Sequence, residues 1–198
     1  MSKRFVLLLL SLLLLASAAE AATLKTATFA GGCFWCMEPA FERVKGVVSA
    51  TSGYTGGWKG NPTYEEVSAG VTGHRESVEV LYDPAQVSYA KLLDVFWHNV
   101  DPTDNTGQFC DKGNQYKSAI FYHDASEKAA AEASKKAILA AGRVTRIYTD
   151  ILPAGPFFKA EEYHQDYYKK NPVRYNFYRF NCGRDRRLEQ VWGVAPEH

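Results

Sequence analysis

Two cysteines three residues apart follow a pair of glycines and enclose two aromatic rings, in Gly31-Gly32-Cys33-Phe34-Trp35-Cys36. A cysteine attacks only as its thiolate, so such a pair raises the question of what would ionise it. The glycines supply a tight turn. The residues that follow, Met37 to Val44, read as an amphipathic helix with Phe41 and Val44 on one face. Cys33 therefore falls at or just before a helix N-terminus, where unpaired N–H groups and the helix dipole favour a thiolate. Pro39 is expected in the first turn, where its missing N–H costs nothing. The chemistry this spacing points to is that of a reactive sulfur walled by Phe34 and Trp35.

The elements that must hold this turn are legible as alternating strands and helices. Leu24 to Ala30 reads as a strand feeding it, and Val47 to Ser52 as a short second strand. Arg75 to Tyr82 alternates, with Ser77, Glu79 and Leu81 on one face and Val78, Val80 and Tyr82 on the other. Ser88 caps a helix whose Tyr89, Leu92, Leu93, Phe96 and Trp97 recur at helical spacing. Asp101 to Gln115 is a long polar loop, a length that tends to accompany function. Lys117 to His123 reads as a strand, and Asp124 with Glu127 offers a capping box for an Ala- and Lys-rich helix ending near Gly142. Thr145 to Leu152 is a further strand and Glu161 to Lys170 a short helix. Beyond Asn171-Pro172 the chain is rich in Arg and Tyr with weak periodicity, and an extended tail wrapping the domain is expected. The alternation predicts an α+β domain, a mixed sheet with helices packed on it.

Composition narrows the function classes. A chain of 198 residues, 46% hydrophobic, suffices for one compact domain, and a formal net charge of +1 gives no electrostatic case for nucleic acid. Aromatic residues, 14% with twelve Tyr and four Trp, are dense enough to line a pocket for a small apolar or thioether-like group. Lys3-Arg4, a Leu-rich run to about Ala16 and Ala19-Glu20-Ala21 have the layout of a cleaved secretory signal. The run is shorter than the ~20 residues that span a bilayer. Residues 1–21 are thus expected to be a signal peptide and 22–198 one exported domain, periplasmic or secreted; an uncleaved signal would anchor it to a membrane.

Four cysteines in an exported chain suggest two structural disulfides by default. A domain of this length does not need them, and Cys33 and Cys36 close too short a loop to staple anything. Zinc is disfavoured as well: Cys110 and Cys182 are isolated and form no second Cys-x-x-Cys pair. Redox chemistry accounts better for the pattern, with no metal or cofactor.

Six segments in order carry a resemblance to a known family. They are Gly32-Cys-Phe-Trp-Cys-Met-Glu38, Ser52-Gly-Tyr-Thr-Gly-Gly57, Asn61-Pro-Thr-Tyr-Glu-Glu-Val67, Gly73-His-Arg-Glu76, Gln115-Tyr-Lys-Ser118 and Glu162-Tyr-His-Gln165. Together they closely resemble the A-type peptide methionine sulfoxide reductases, from about Thr28 to Gly193. The resemblance implies a two-layer fold of ferredoxin-like type. It implies thiol-dependent reduction of the S epimer of methionine sulfoxide, free or in proteins, as repair of oxidative damage. It also implies recycling by a thioredoxin-like reductant; a monomer is expected.

On that resemblance Cys33 is the nucleophile and Glu76 the acid that protonates the sulfoxide oxygen. Burial near Phe34 and Trp35 would raise its pKa enough for that task. Tyr64 and Tyr116 match phenols that hydrogen-bond the oxygen, Phe34 and Trp35 match the walls for the substrate methyl, and Asp111 and His164 match substrate-orienting positions. Attack leaves a sulfenic acid on Cys33, which a second thiol must condense into a disulfide. The best-known branch of the family has two cysteines in a Gly-rich tail shortly after the Asn-Pro; here the tail has Asn181-Cys182-Gly183-Arg184-Asp185 instead. Cys182 on a flexible, Gly-flanked tail and Cys36 on the nucleophile's own helix are both candidate resolvers, and Cys110 reads as a packing thiol near the pocket. Two other readings compete. A general disulfide oxidoreductase built on Cys33-x-x-Cys36 would leave Glu76, Tyr64 and Tyr116 without a role. A secreted binding module held by two disulfides would leave no free thiol.

Overall fold

The computed structural model describes residues 23–193; the expected signal segment lies outside them. Strand β1 (Lys25–Ala30) runs through the double glycine into helix α1 (Phe34–Glu42), followed by β2 (Val47–Thr55), α2 (Tyr64–Ser68), β3 (Arg75–Tyr82) and α3 (Tyr89–His98). Then come a small hairpin of β4 (Gly107–Gln108) and β5 (Asp111–Lys112), and a 3-10 turn at Asn114–Tyr116. Strand β6 (Ala119–Tyr122), helix α4 (Ala125–Ala140) and strands β7 (Asp150–Pro153) and β8 (Phe158–Lys159) follow. A 3-10 turn at Glu162–His164 leads to α5 (Tyr167–Lys170), α6 (Pro172–Asn181) and α7 (Arg184–Trp192).

Six strands form one sheet in the order β7-β6-β1-β3-β2-β8, antiparallel except for the parallel β6–β7 pair. The inner order β6-β1-β3-β2, with α1 crossing from β1 to β2, is the split βαβ arrangement of a ferredoxin-like α+β fold. Alternation on β3 explains the packing. Glu76, Val78, Val80 and Tyr82 share its buried face, so the carboxyl of Glu76 belongs to the core side of an interior strand rather than to a sheet edge. Helix α1 packs over β2 and β3, and Phe29 of β1 stacks between Phe41 of α1 and Phe96 of α3, with ring centroids 4.9 and 5.3 Å away. Phe96 is fully buried, so Phe96→Ala should cost about 3–5 kcal/mol of stability. Urea unfolding should show this as a lower midpoint at unchanged slope.

Several local expectations hold and several shift. Ser88 caps α3, its Oγ accepting the Lys91 N–H at 3.2 Å. Asp124 caps α4 by accepting the Glu127 N–H at 2.8 Å, but the Glu127 carboxylate takes the His123 N–H rather than that of Asp124. Helix α1 begins at Phe34 with Cys33 at its N-cap, as expected, but Pro39 lies in its interior rather than its first turn and leaves the Trp35 carbonyl without a helical donor. Strand β7 begins at Asp150, well after Thr145.

The largest correction concerns the C-terminal segment. It is two helices, α6 and α7, rather than an extended tail. Pro172 starts α6 at a position where its missing N–H is harmless. The periodicity is weak because rings occupy both sides of α6: Tyr175 faces inward, while Val173, Phe177 and Phe180 face solvent. Two inward positions, moreover, are arginines, Arg179 and Arg184, which a hydrophobic pattern does not register.

Candidate active site

The turn that carries Cys33 tolerates only glycine. Gly32 has φ +81, and a side chain there would press on Gln108 at 2.6 Å; a Cβ on Gly31 would meet Met37 Sδ at 2.4 Å. Cys33 occupies the N-cap of α1 and is 6 % exposed. Around it a small cavity of about 60 Å³ is lined by Cys33, Phe34, Trp35, Tyr64, Glu76, Asp111, Tyr116 and Tyr178. That is room for a few heavy atoms, the end of one side chain. Of the ten residues singled out from the sequence, seven line this cavity.

Each lining group is fixed by its own element. Glu76, 2 % exposed, accepts the Phe34 N–H at 3.1 Å, which ties the start of α1 to β3. Burial raises its pKa to about 8, with further help from the charges of Asp111 and Cys36, against the lowering effect of the Phe34 hydrogen bond. It is therefore a neutral acid at pH 7. Tyr64 opens α2, whose capping box is closed by Thr63 and Glu66, and its own N–H donates to Glu161 Oε1 at 2.9 Å. Tyr116 ends the 3-10 turn at Asn114–Tyr116, and Gln115 of that turn donates to the Ser68 carbonyl of α2 at 2.9 Å. The two phenols thus stand on elements stitched to each other. Burial raises the pKa of both, and the Glu76 charge adds to it, so both remain donors.

Trp35 stacks flat on Tyr167, centroids 3.7 Å apart, and its indole N–H donates to His164 Nδ1 at 2.9 Å. His164 is 1 % exposed, so it is not a surface residue, and it stands behind the cavity with its ring centroid 4.3 Å from that of Tyr64. Burial lowers its pKa to about 4, which keeps it a neutral acceptor that holds Trp35 in place. Asp111, on β5, accepts the hydroxyl of Tyr178 from α6 across the cavity mouth. Tyr178 carries no signal in the sequence, because the weak periodicity of its helix hides which residues face inward.

The four sulfurs divide into two pairs. Cys110 and Cys182 form a disulfide, with Cα atoms 5.0 Å apart. Cys182 is therefore not a free thiol on a flexible tail, and Cys110 is not a packing thiol. Cys33 and Cys36 are free, buried and hydrogen-bonded to each other through their side chains. Burial pushes the Cys33 thiol up, reinforced by the hydrogen bond to Cys36 and the charge of Glu76. The Cys33 hydrogen bond lowers Cys36 to about 6 against its own burial, assisted by the Arg184 and Arg179 guanidiniums. Burial and the neighbouring carboxyl groups thus oppose the helix N-terminus at Cys33, and the hydrogen bond between the two sulfurs favours the thiolate on Cys36.

Arg184 adds to that bias, after the hydrogen bond from Cys33. It is 2 % exposed and has no carboxylate partner among the described residues. Its Nη2 donates to the carbonyls of Gly31 and Asn99 and to Met37 Sδ, and its guanidinium lies 4.5 Å from the Phe109 ring centroid. A buried cation so close to the start of α1 favours a thiolate there.

Comparison with known proteins follows the same line. Residues 25–195 match the family model described as peptide methionine sulfoxide reductase. A protein named peptide methionine sulfoxide reductase MsrA, from Bacillus licheniformis, is 54% identical over 168 residues, 84% of this chain and 93% of that protein. The crystal structure of Mxr1 from Saccharomyces cerevisiae in its reduced form superposes with a TM-score of 0.72 at 32% identity, covering 78% of this chain and 89% of that one. Mxr1 in complex with Trx2 matches with a TM-score of 0.52 at 25% identity, over 75% of this chain and 87% of that one.

Proposed function

Because the chain belongs to the peptide methionine sulfoxide reductase family, we propose a division of the reaction among its own residues. The protein is an oxidoreductase that reduces methionine sulfoxide to methionine through its redox-active cysteines. One observation supports the assignment of roles above the others: a nucleophilic sulfur, a neutral carboxylic acid, two phenols and two aromatic walls share a single cavity.

The sulfoxide methyl packs on Phe34 and Trp35, and Tyr64, Tyr116 and protonated Glu76 face its oxygen. As Cys33 attacks the substrate sulfur, its proton passes to the Cys36 thiolate. An S–S bond forms between Cys33 and the substrate sulfur while Glu76 protonates the substrate oxygen. The hydroxyl then passes from the substrate sulfur to Cys33, the S–S bond breaks with its electron pair going to the substrate sulfur, methionine departs, and Cys33 is left as a sulfenic acid. Cys36 then attacks that sulfur, water leaves, and a Cys33–Cys36 disulfide results. Cys36 takes this role because it is a free thiol in contact with Cys33, whereas Cys182 is already bonded to Cys110.

Donors aimed at an oxygen that gains charge contribute most in a confined site, so Tyr116→Phe should slow sulfenic-acid formation on the order of 10²-fold while leaving the fold intact. Rapid-quench measurement of the first methionine formed checks this. We assign the S epimer as substrate, free or within oxidised proteins. Racemic methionine sulfoxide incubated with the protein and dithiothreitol should be consumed to half and no further. Consumption of both epimers, or of neither, would refute the assignment.

Recycling calls for a dithiol donor of thioredoxin type, the partner captured on the yeast Mxr1 neighbour. The basic, apolar and small-residue layout of residues 1–21 supports a site of action outside the cytoplasm.

A further inference from the structure

Trp35, one wall of the cavity, is gripped on two sides by a single short segment. Its indole N–H donates to His164 Nδ1 at 2.9 Å, and Tyr167 stacks on its face with centroids 3.7 Å apart. Between these two residues Asp166 has φ +53, a left-handed conformation that side-chain-bearing residues rarely adopt. That turn lets His164 and Tyr167 meet the same ring.

A carboxyl that the reaction does not use holds the turn. Glu38 stands on α1 three residues after Trp35, on the same face of the helix, and is 1 % exposed. Its Oε1 accepts the Asp166 N–H at 2.8 Å, and its Oε2 accepts the Ser52 hydroxyl at 2.9 Å. Gln165 fastens the same segment to β2: its Oε1 accepts the Ser52 N–H at 3.0 Å, and its Nε2 donates to the Ser52 carbonyl at 2.9 Å. Burial raises the pKa of Glu38 to about 7, against the hydrogen bonds from Asp166 and Ser52. No ion pair compensates it among the described residues. A carboxyl in such a place is costly unless its hydrogen bonds are made.

We infer that Glu38 is a positioning residue for the substrate's alkyl group: through the Asp166 N–H it fixes the His164–Tyr167 segment, and with it the plane of Trp35, so that the cavity accepts a methyl and refuses a larger group. The inference rests on the sulfoxide-reductase reading of the same site. Glu38 is not among the residues that line the cavity, so it acts on substrate choice through Trp35. A cavity of about 60 Å³ leaves little room for an added methylene as long as its walls stay put. One methylene in a fixed apolar pocket is discriminated by roughly 10–200-fold. A wall free to tilt gives up part of that.

Glu38→Met removes both acceptors and keeps a side chain of similar volume. Single turnovers are run with methionine S-sulfoxide and with its ethyl homologue, ethionine S-sulfoxide. The preference for the methyl substrate, read as the ratio of rates at limiting concentration, should narrow at least five-fold. The first-turnover rate at saturating methionine S-sulfoxide should stay within about three-fold of native, and the limbs of its pH profile near 6 and 8 should not move. Glu38→Gln can accept the Asp166 N–H and donate to Ser52 Oγ, so it should keep the native ratio within two-fold. An unchanged ratio in Glu38→Met, or a ratio lost as fully in Glu38→Gln, would overturn the inference. Should Glu38→Met fail to fold, Glu38→Asp reads the same point. Its carboxylate is one carbon short of the two donors, so the ratio should narrow at least three-fold, and an unmoved ratio would again overturn the inference. No first methionine from the unsubstituted protein would defeat the sulfoxide-reductase reading itself; a native first turnover with an unmoved ratio in the variants defeats this inference alone.

Discussion

Cys33→Ser is expected to lower kcat for methionine sulfoxide by roughly 10⁴-fold or more, since a hydroxyl cannot replace a soft nucleophile at sulfur. The size of the effect follows from position. Cys33 is the one cysteine among the described residues that lines the cavity with Glu76, Tyr64 and Tyr116. The pKa of Cys36 is lowered by its hydrogen bond with Cys33, but Cys36 packs against Tyr167 and Tyr175 and does not line the cavity. The measurement is methionine produced per enzyme under dithiothreitol, with circular dichroism to show that the variant folds. Substantial residual turnover would mean that Cys36 attacks directly, and the roles of the two sulfurs would be exchanged.

Glu76→Gln should slow sulfenic-acid formation by about 10²–10⁴-fold, the range associated with loss of a positioned general acid. The amide can still accept the Phe34 N–H, so the start of α1 keeps its anchor while the transferable proton is lost. The pH dependence distinguishes this role from a structural one. Glu76 must be protonated to act, and its pKa of about 8 means that the first-turnover rate falls as pH rises through 8. The cysteine pair must hold one negative charge, so the rate also falls as pH drops through about 6, where Cys36 takes up a proton. The native profile should therefore be a bell between those limits. Glu76→Gln should flatten the alkaline side and keep the acid side. A variant that lost both limbs together, or that unfolded, would make Glu76 a structural carboxyl.

Much of this was readable in advance where one interaction dominates. Strand β3 alternates because one of its faces is buried, and the Ser88 cap announces α3 with its apolar stripe. The turn at Gly31-Gly32 carries its own steric reason. What the sequence concealed depends on long-range contacts. Helices α6 and α7 bury Arg179 and Arg184 in place of aliphatic residues, so their hydrophobic periodicity is weak and the sequence marks neither the helices nor Tyr178. The Cys110–Cys182 bond joins positions 72 residues apart, and nothing local to either marks it. His164 stands in a motif legible in sequence, but its part in holding Trp35 comes from a contact across 129 residues. The lowered pKa of Cys36 follows first from its hydrogen bond with Cys33 and then from two arginines remote in sequence, while burial raises Cys33 against the helix terminus on which local reasoning relies.

The most direct test uses Cys36→Ser, in which a sulfenic acid on Cys33 has no neighbouring thiol to condense with. One equivalent of methionine S-sulfoxide is added without reductant, followed by a carbon nucleophile selective for sulfenic acids and peptide mass spectrometry. The prediction is one methionine released per protein, more slowly than in the unsubstituted protein because the Cys36 proton acceptor is gone, and one label, on Cys33. Label on another residue, or methionine released with Cys33 unmodified, would contradict it.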